Sequence, residues 1–322
     1  MTVALVLGAG GVAGGAFHSG VLAALQKSMA WDPRTADVIV GTSAGSLAGA
    51  TLRAGFGAHD MLARAEGRTL SAQGDLIMRK VGPYRGPPPF RLAARRRSGQ
   101  EVAAALARAV ARPFAAPPWA LFTGLLPEGQ VSTSMIFDAI AGLHDEPWPA
   151  RPLWICAVRQ SDGRRTVFGR DHRSTHVAEA VAASCAIPGF FSPVDIEGTA
   201  YVDGGVHSPT NTDVLLDKAA GALPTLVVVS SPMSQSGQAP RNATTVVRRW
   251  SSALLGAEVA RFRRRGVPVV AFQPTVADVE VMGVNAMDPS RRAAIARQAY
   301  ESTLRRLERQ DTQDRLSALR GS

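Results

Sequence analysis

The chain of 322 residues carries a formal net charge of +10, is 46% apolar and has a mean hydropathy near zero. That length can bury a large core as one domain or two, and no uninterrupted apolar run is long enough for a bilayer-spanning helix. Two cysteines, Cys156 and Cys185, cannot build a disulfide framework and fit a reducing compartment as core residues.

Thr2-Val-Ala-Leu-Val-Leu7 is an apolar run of strand length with no basic segment ahead of it. No signal peptide is therefore expected, and a cytoplasmic location follows. The run leads into Gly8-Ala-Gly-Gly-Val-Ala-Gly-Gly15 and then a predicted helix from Ala16 to Met29, with Phe17, Val21, Leu22 and Leu25 at helical spacing. Val38-Ile-Val40 is a second strand, ending in Gly41-Thr-Ser-Ala-Gly45. This strand–loop–helix–strand order predicts parallel neighbours, with two glycine loops at their carboxyl ends, where open α/β sheets place their sites.

Gly41-x-Ser43-x-Gly45 sits in the strand-to-helix context that a nucleophile elbow needs. The glycines Gly41 and Gly45 allow the sharp turn, and the helix N-terminus favours negative charge on Ser43. A helix N-cap serine is an equal reading of these residues alone. The first glycine loop can offer backbone N–H groups to a phosphate or to an oxyanion. Gly8-x-Gly10-x-x-Ala13 also fits a loose dinucleotide fingerprint. That fingerprint wants an acidic residue ending the second strand, whereas Asp37 stands at its start and Asp32 lies in a loop beside Pro33.

From Gly55 to about residue 150 the pattern is irregular and proline-rich, with helices predicted at 57–67 and 98–111 and a basic cluster, Arg95-Arg-Arg97. A cap or lid is one reading of such an insertion, and an ordinary surface loop the other. Leu153–Val158 and Arg165–Phe168 read as paired strands around the Ser161-Asp-Gly163 turn. Val177–Ala186 reads as a small-residue helix that stops before Pro188, with Ile187, Phe190 and Phe191 beside it. Tyr201-Val-Asp203 is a short strand ending in Gly204-Gly205. These glycines leave a carboxylate room in a cleft, though Asp-Gly alone is read first as a turn. Thr225–Val229 and Val267–Phe272 are further strands, 243–264 a helix, and about 290–319 a last helix opened by Pro289. No metal-spaced Cys/His cluster and no cofactor signature other than the weak nucleotide fingerprint appears.

Three blocks in this order resemble the patatin-like phospholipase family: Leu7-Gly-Ala-Gly-Gly-Val-Ala-Gly14, Gly41-Thr-Ser-Ala-Gly45, and Ala182-Ala-Ser-Cys-Ala-Ile-Pro188 with Tyr201-Val-Asp-Gly-Gly205 downstream. The resemblance covers about residues 2–215, with an echo at Met287-Asp-Pro289. It implies one three-layer α/β/α domain over 1–322 with a mainly parallel central sheet. It also implies a lipid acyl hydrolase with Ser43 as nucleophile, Asp203 as base, Gly10 and Gly11 as oxyanion hole, and no cofactor. The six histidines agree with a dyad: His207 is too close to Asp203 in sequence for easy triad geometry, and His18 falls on the first helix as a structural residue. The family loop often reads G-G-G-x-[KR]-G. Here Ala9 replaces its first glycine and Ala13 its basic residue. The loop is then ordered by other means, or catalysis is weaker, or the substrate lacks a negative group.

The alternatives are a nucleotide-binding protein using Gly8–Gly15 and a non-catalytic lipid-binding relative. The positive charge, almost all arginine, fits peripheral contact with an anionic membrane. Arginine-biased composition with solvated faces is the simpler account, and no recognition motif supports nucleic-acid binding.

Overall fold

Alternation along the first strand sets the architecture. In β1 (Val3–Leu7), Val3, Leu5 and Leu7 pack into one apolar cluster, while Ala4 and Val6 pack into another. A strand buried on both faces belongs between two layers of helices. The computed structural model describes residues 2–81, 129–172, 174–237 and 244–321 and shows this arrangement.

One eight-stranded sheet runs β5-β6-β3-β2-β1-β7-β8, with β4 also paired to β3. The strands are β2 (Val38–Thr42), β3 (Leu153–Arg159), β4 (Arg165–Phe168), β5 (Val194–Ile196), β6 (Thr199–Asp203), β7 (Leu226–Ser230) and β8 (Val269–Phe272). β3, β2, β1, β7 and β8 are parallel; β4 and β6 run antiparallel to β3, and β5 antiparallel to β6. The expected mainly parallel three-layer fold is therefore present.

On one face lie α1 (Gly11–Met29), α2 (Ala44–Arg53), α3 (Ala58–Glu66), α6 (Val177–Ser184) and α9 (Arg292–Leu307), around buried Phe17, Leu22, Leu25, Trp31 and Phe56. The other face is covered by α7 (Thr245–Arg263), through Leu255 and Phe262. Fully burying a leucine or phenylalanine stabilises the fold by about 1.5–3 kcal/mol. α1 and α9 approach closely: a Cβ at Gly20 would lie 2.6 Å from the Tyr300 amide nitrogen and strike the Ala296 carbonyl.

Several boundaries differ from expectation. α1 starts at Gly11, so the glycine loop supplies its first turn rather than preceding it. The single last helix is two, α9 and α10 (Gln310–Leu316), because Arg309 is extended (φ −75°, ψ 130°) and breaks the run. Short helices α4 (Ala72–Val81), α5 (Ser134–Ala141) and α8 (Val276–Met282) are additional to the expected ones. The predicted helix at 98–111 and the cluster Arg95–Arg97 lie outside the described residues. The described ends of the 55–150 stretch are docked on the body, α3 against α1 and α5 against α6, and Lys80 pairs with Asp145 at 2.9 Å.

Candidate active site

β3 organises the centre. Its Cys156 stands opposite Thr42, the last residue of β2, and its next residue, Ala157, stands opposite Asp203, the last residue of β6. β4 occupies the other side of β3 at both positions. β2 and β6 therefore share one side of β3 and meet carboxyl end to carboxyl end. Ser43 leaves one strand where Asp203 ends the other.

The Ser43 hydroxyl is near enough to the Asp203 carboxyl to favour its ionised form. Both residues are buried, at 3% and 5% exposed. Burial pushes the Asp203 carboxyl up from 3.8 to about 6, against the lowering effect of the Ser43 hydroxyl and the Gly205 amide. That amide donates to Asp203 Oδ1 at 2.7 Å, so Asp203 caps a 3-10 turn, Gly204–Val206, and the expected hairpin does not form. Gly204 is obligatory there, because a Cβ would run into the Cys156 carbonyl.

Ser43 holds φ 53° and ψ −121°, a conformation that side chains rarely adopt. Its hydroxyl makes no cap bond to α2, which removes the N-cap reading. Three features hold the backbone in place. The Ser43 carbonyl accepts from the Ser46 amide at 2.8 Å and the Ser46 hydroxyl at 2.7 Å. Its own amide donates to Ser184 Oγ at 2.9 Å, and that hydroxyl donates to the Cys156 carbonyl at 2.7 Å. Gly45 packs so closely on the Leu7 carbonyl that any Cβ would collide, and a Cβ on Gly41 would lie 2.5 Å from Ser46 Cα.

Ser184 lies within the third sequence block but had no assigned role; its pairing with Ser43 spans 141 positions, so no local pattern marks it. The Cys185 thiol lies 3.8 Å from Ser46 Oγ, and burial pushes it well above the ordinary thiol range. It is a neutral neighbour rather than a nucleophile.

The glycine loop adjoins both residues. A Cβ on Gly14 would sit 3.6 Å from Ala44 Cβ, and one on Gly205 would sit 3.4 Å from Ala9 Cβ. The amides of Gly8, Ala9 and Ala13 are committed to the carbonyls of Ser230 (2.9 Å), Pro209 (2.7 Å) and Ala286 (2.9 Å). Gly10, Gly11 and Val12 lie at the start of α1, where amides have no intrahelical acceptor. Gly11 has φ +61° and Gly10 is pressed by Pro232, whose Cβ lies 2.9 Å from its Cβ position. Such amides at a positive helix end can bind an oxyanion.

The missing basic residue of the loop has a structural counterpart. Ala13 is buried at 2% exposure, and the loop is ordered by its bonds to Ser230, Pro209 and Ala286. Pro232 is itself held by the buried Arg248, which donates to its carbonyl at 2.9 Å.

No histidine among the described residues bonds to Ser43 or Asp203. His18 is fully buried between Ser230 Oγ and the Gly8 carbonyl, both at 2.8 Å, and burial lowers it to about 4. His207 feels the charges of Arg165, Asp213 and Asp217 instead. The carboxylates of the dinucleotide reading are also engaged: Asp32 with Arg34 at 2.6 Å, and Asp37 with the Val3 amide at 2.6 Å. Beside the site, Ala186, Phe190 and Phe191 form an apolar cluster joined by Ile187, Val131 and Met287, and the Ala186 carbonyl accepts from the Asp203 amide at 3.0 Å.

A family model described as patatin-like phospholipase matches residues 5–216. No curated protein matches the sequence. Among solved structures the chain is similar to VipD from Legionella pneumophila, at 14% identity over 95% of this chain and 66% of that one, with a TM-score of 0.43. It is similar to the type III effector protein ExoU, at 18% identity over 95% and 53%, with a TM-score of 0.36. A third similarity is to human GIVD cytosolic phospholipase A2 in complex with methyl gamma-linolenyl fluorophosphonate, at 12% identity over 100% and 60%, with a TM-score of 0.36. The chain thus spans 53–66% of the length of these proteins.

Proposed function

The chain belongs to the patatin-like phospholipase family, and on that premise we propose that it hydrolyses carboxylic esters of lipids, with Ser43 as nucleophile and Asp203 as general base. The observation that carries the reading is that Ser43 leaves β2 where Asp203 ends β6, with Ser43 in a strained elbow at a helix N-terminus. Asp203 accepts the Ser43 proton as Oγ attacks the ester carbonyl. The amides of Gly10 and Gly11 receive the developing oxyanion, a contribution of about 3–4 kcal/mol per donor in comparable sites. The C–O bond to the alcohol breaks, and the alcohol leaves with the proton from Asp203. Asp203 then takes a proton from water, which attacks the acyl-serine, and the free acid departs as the proton returns to Ser43.

An ordinary aspartate is a weak base near neutrality, whereas a carboxyl with a pKa of about 6 is matched to serine chemistry and still ionised at pH 7–8. The apolar cluster of Ile187, Phe190, Phe191 and Met287 suits an acyl chain. Among the described residues no helix is long and apolar enough to cross a membrane. The net charge of +10 favours peripheral contact with an anionic lipid surface as the route to substrate. Liposome co-sedimentation should then rise with anionic lipid and fall with salt.

The test is fluorophosphonate labelling and p-nitrophenyl ester hydrolysis by the wild type, Ser43→Ala and Asp203→Asn, followed by a lipid panel. The expected result is labelling at Ser43 and loss of at least about 10³-fold in turnover for both variants. A Ser43→Ala protein that hydrolyses the ester at the wild-type rate would sink the reading.

A further inference from the structure

Asn211 is fully buried and links the two ends of the proposed dyad. It begins the 3-10 turn Thr212–Leu216 in the left-handed conformation, φ 50° and ψ 30°, which asparagine tolerates better than most residues. Its Nδ2 lies 3.1 Å from Thr42 Oγ1, 3.2 Å from the Gly204 carbonyl and 2.6 Å from the Ser208 carbonyl. Thr42 immediately precedes Ser43, and Gly204 immediately follows Asp203. On its other side, Asn211 Oδ1 accepts from Arg165 Nη1 at 3.1 Å. A guanidinium can only donate, so this contact fixes which end of the amide is oxygen and turns the NH2 toward the dyad.

Both supports of Asn211 are themselves held. Arg165 forms a two-pronged pair with Asp213, at 2.6 and 3.0 Å. The segment around Asn211 is anchored by the buried Glu258, which accepts from Ser208 Oγ at 2.7 Å, Thr210 Oγ1 at 2.6 Å and the Thr212 amide at 3.2 Å. These contacts matter because β2 and β6 meet end to end: neither strand hydrogen-bonds to the other, so their relative placement rests on β3 and on side chains that reach both ends.

We propose that Asn211 is a positioning residue for the dyad, its amide tying Thr42 to Gly204 and so setting the approach of the Ser43 hydroxyl to the Asp203 carboxylate. The inference rests on the hydrolase reading above. The groups facing Asp203 are the Ser43 hydroxyl, the Gly205 amide and the neutral Cys185 thiol. Loosening Ser43 therefore weakens one of the two influences that favour the ionised carboxylate, and the Asp203 titration moves up.

The test uses Asn211→Gly, which keeps the left-handed backbone and removes only the side chain, and Thr42→Val, which removes only the hydroxyl on the nucleophile's side. In each folded protein the Asp203 carboxyl is titrated by 13C NMR, and kcat, KM and fluorophosphonate labelling rate are measured. For Asn211→Gly the expected result is a kcat lower by about 10–100-fold, KM within about twofold, and an upward Asp203 titration. For Thr42→Val the same pattern is expected at about 3–10-fold. If Asn211→Gly does not fold, Thr42→Val alone decides. A titration that is unmoved or moves down, or a wild-type kcat, overturns the inference. A wild type with no Ser43-dependent ester hydrolysis sinks the hydrolase reading instead, and the titration still scores the role of Asn211.

Discussion

Ser43 and Asp203 meet because the strands that carry them end opposite consecutive residues of a third strand, Cys156 and Ala157 of β3. Neither residue is near the other in sequence, and the register of the sheet brings them together. The burial that follows from this position raises the Asp203 carboxyl to about 6.

The first consequence is kinetic. Asp203 must be ionised to accept a proton, so kcat/KM for an uncharged ester should fall on acidification with an apparent pKa near 6. A limb near the ordinary carboxylate value of 3.8 would mean that Asp203 is not the base. A pH–rate profile over pH 4–9 checks this.

The second is thermodynamic. A carboxyl whose folded pKa is raised holds its proton more tightly in the fold than in the unfolded chain. Its stabilising contribution is complete below about 3.8 and is lost as pH rises through about 6. At pH 8, ionised Asp203 costs the fold up to about 3 kcal/mol, from two units at about 1.4 kcal/mol each. Asp203→Asn should therefore be inactive yet melt a few degrees higher than the wild type at pH 8, and the gain should vanish near pH 4. Calorimetry at the two pH values measures it.

Backbone strain at Ser43 gives a third expectation. At φ 53° and ψ −121° a Cβ is costly and glycine is not, with about 1–3 kcal/mol stored. Ser43→Gly and Ser43→Ala should be equally inactive, but the glycine variant should be the more stable by about that amount in urea denaturation.

Ser184 supplies a fourth. Ser184→Ala leaves the Ser43 amide and the Cys156 carbonyl without their partner. Stability should fall by about 1–3 kcal/mol, and kcat should fall with little change in KM, because the elbow and not the acyl cluster is disturbed. Steady-state kinetics beside a thermal melt separates the two effects.

Glycines separate by their surroundings. Gly45→Ala drives a Cβ into the Leu7 carbonyl and should prevent folding or cost more than about 3 kcal/mol. Gly15→Ala, in the same neighbourhood but facing open space within α1, should be neutral or stabilising by up to about 1 kcal/mol. Soluble yield and melting temperature distinguish them.

Much of this site was legible in the sequence because its parts are local patterns. Gly41–Gly45 and Asp203–Gly205 each encode a turn in which a glycine leaves no room for a Cβ, and the βαβ order fixed the parallel pairing of β1 with β2. What was not legible depends on register and long-range pairing. That β2 and β6 abut on one side of β3 is set by alignments across the sheet, and the partners Ser184 and Asn211 reach Ser43 and Thr42 across 141 and 169 positions. The break at Arg309 and the short helices α4, α5 and α8 were hidden because runs of 7 to 10 residues span too few turns for an apolar period to register.

The seat of α1 has a bearing on how the chain divides. The family match ends at residue 216, yet β1 pairs with β7 (Leu226–Ser230), and Gly20 of α1 nests against the backbone of Ala296 and Tyr300. A fragment cut at 216 would turn the central strand β1 into a bare apolar edge and uncover the face of α1 around Gly20. Such an edge recruits other chains, so the excised motif-bearing part should aggregate rather than work. The segment that carries every proposed catalytic residue is thus expected not to fold alone, because residues after 216 complete its core.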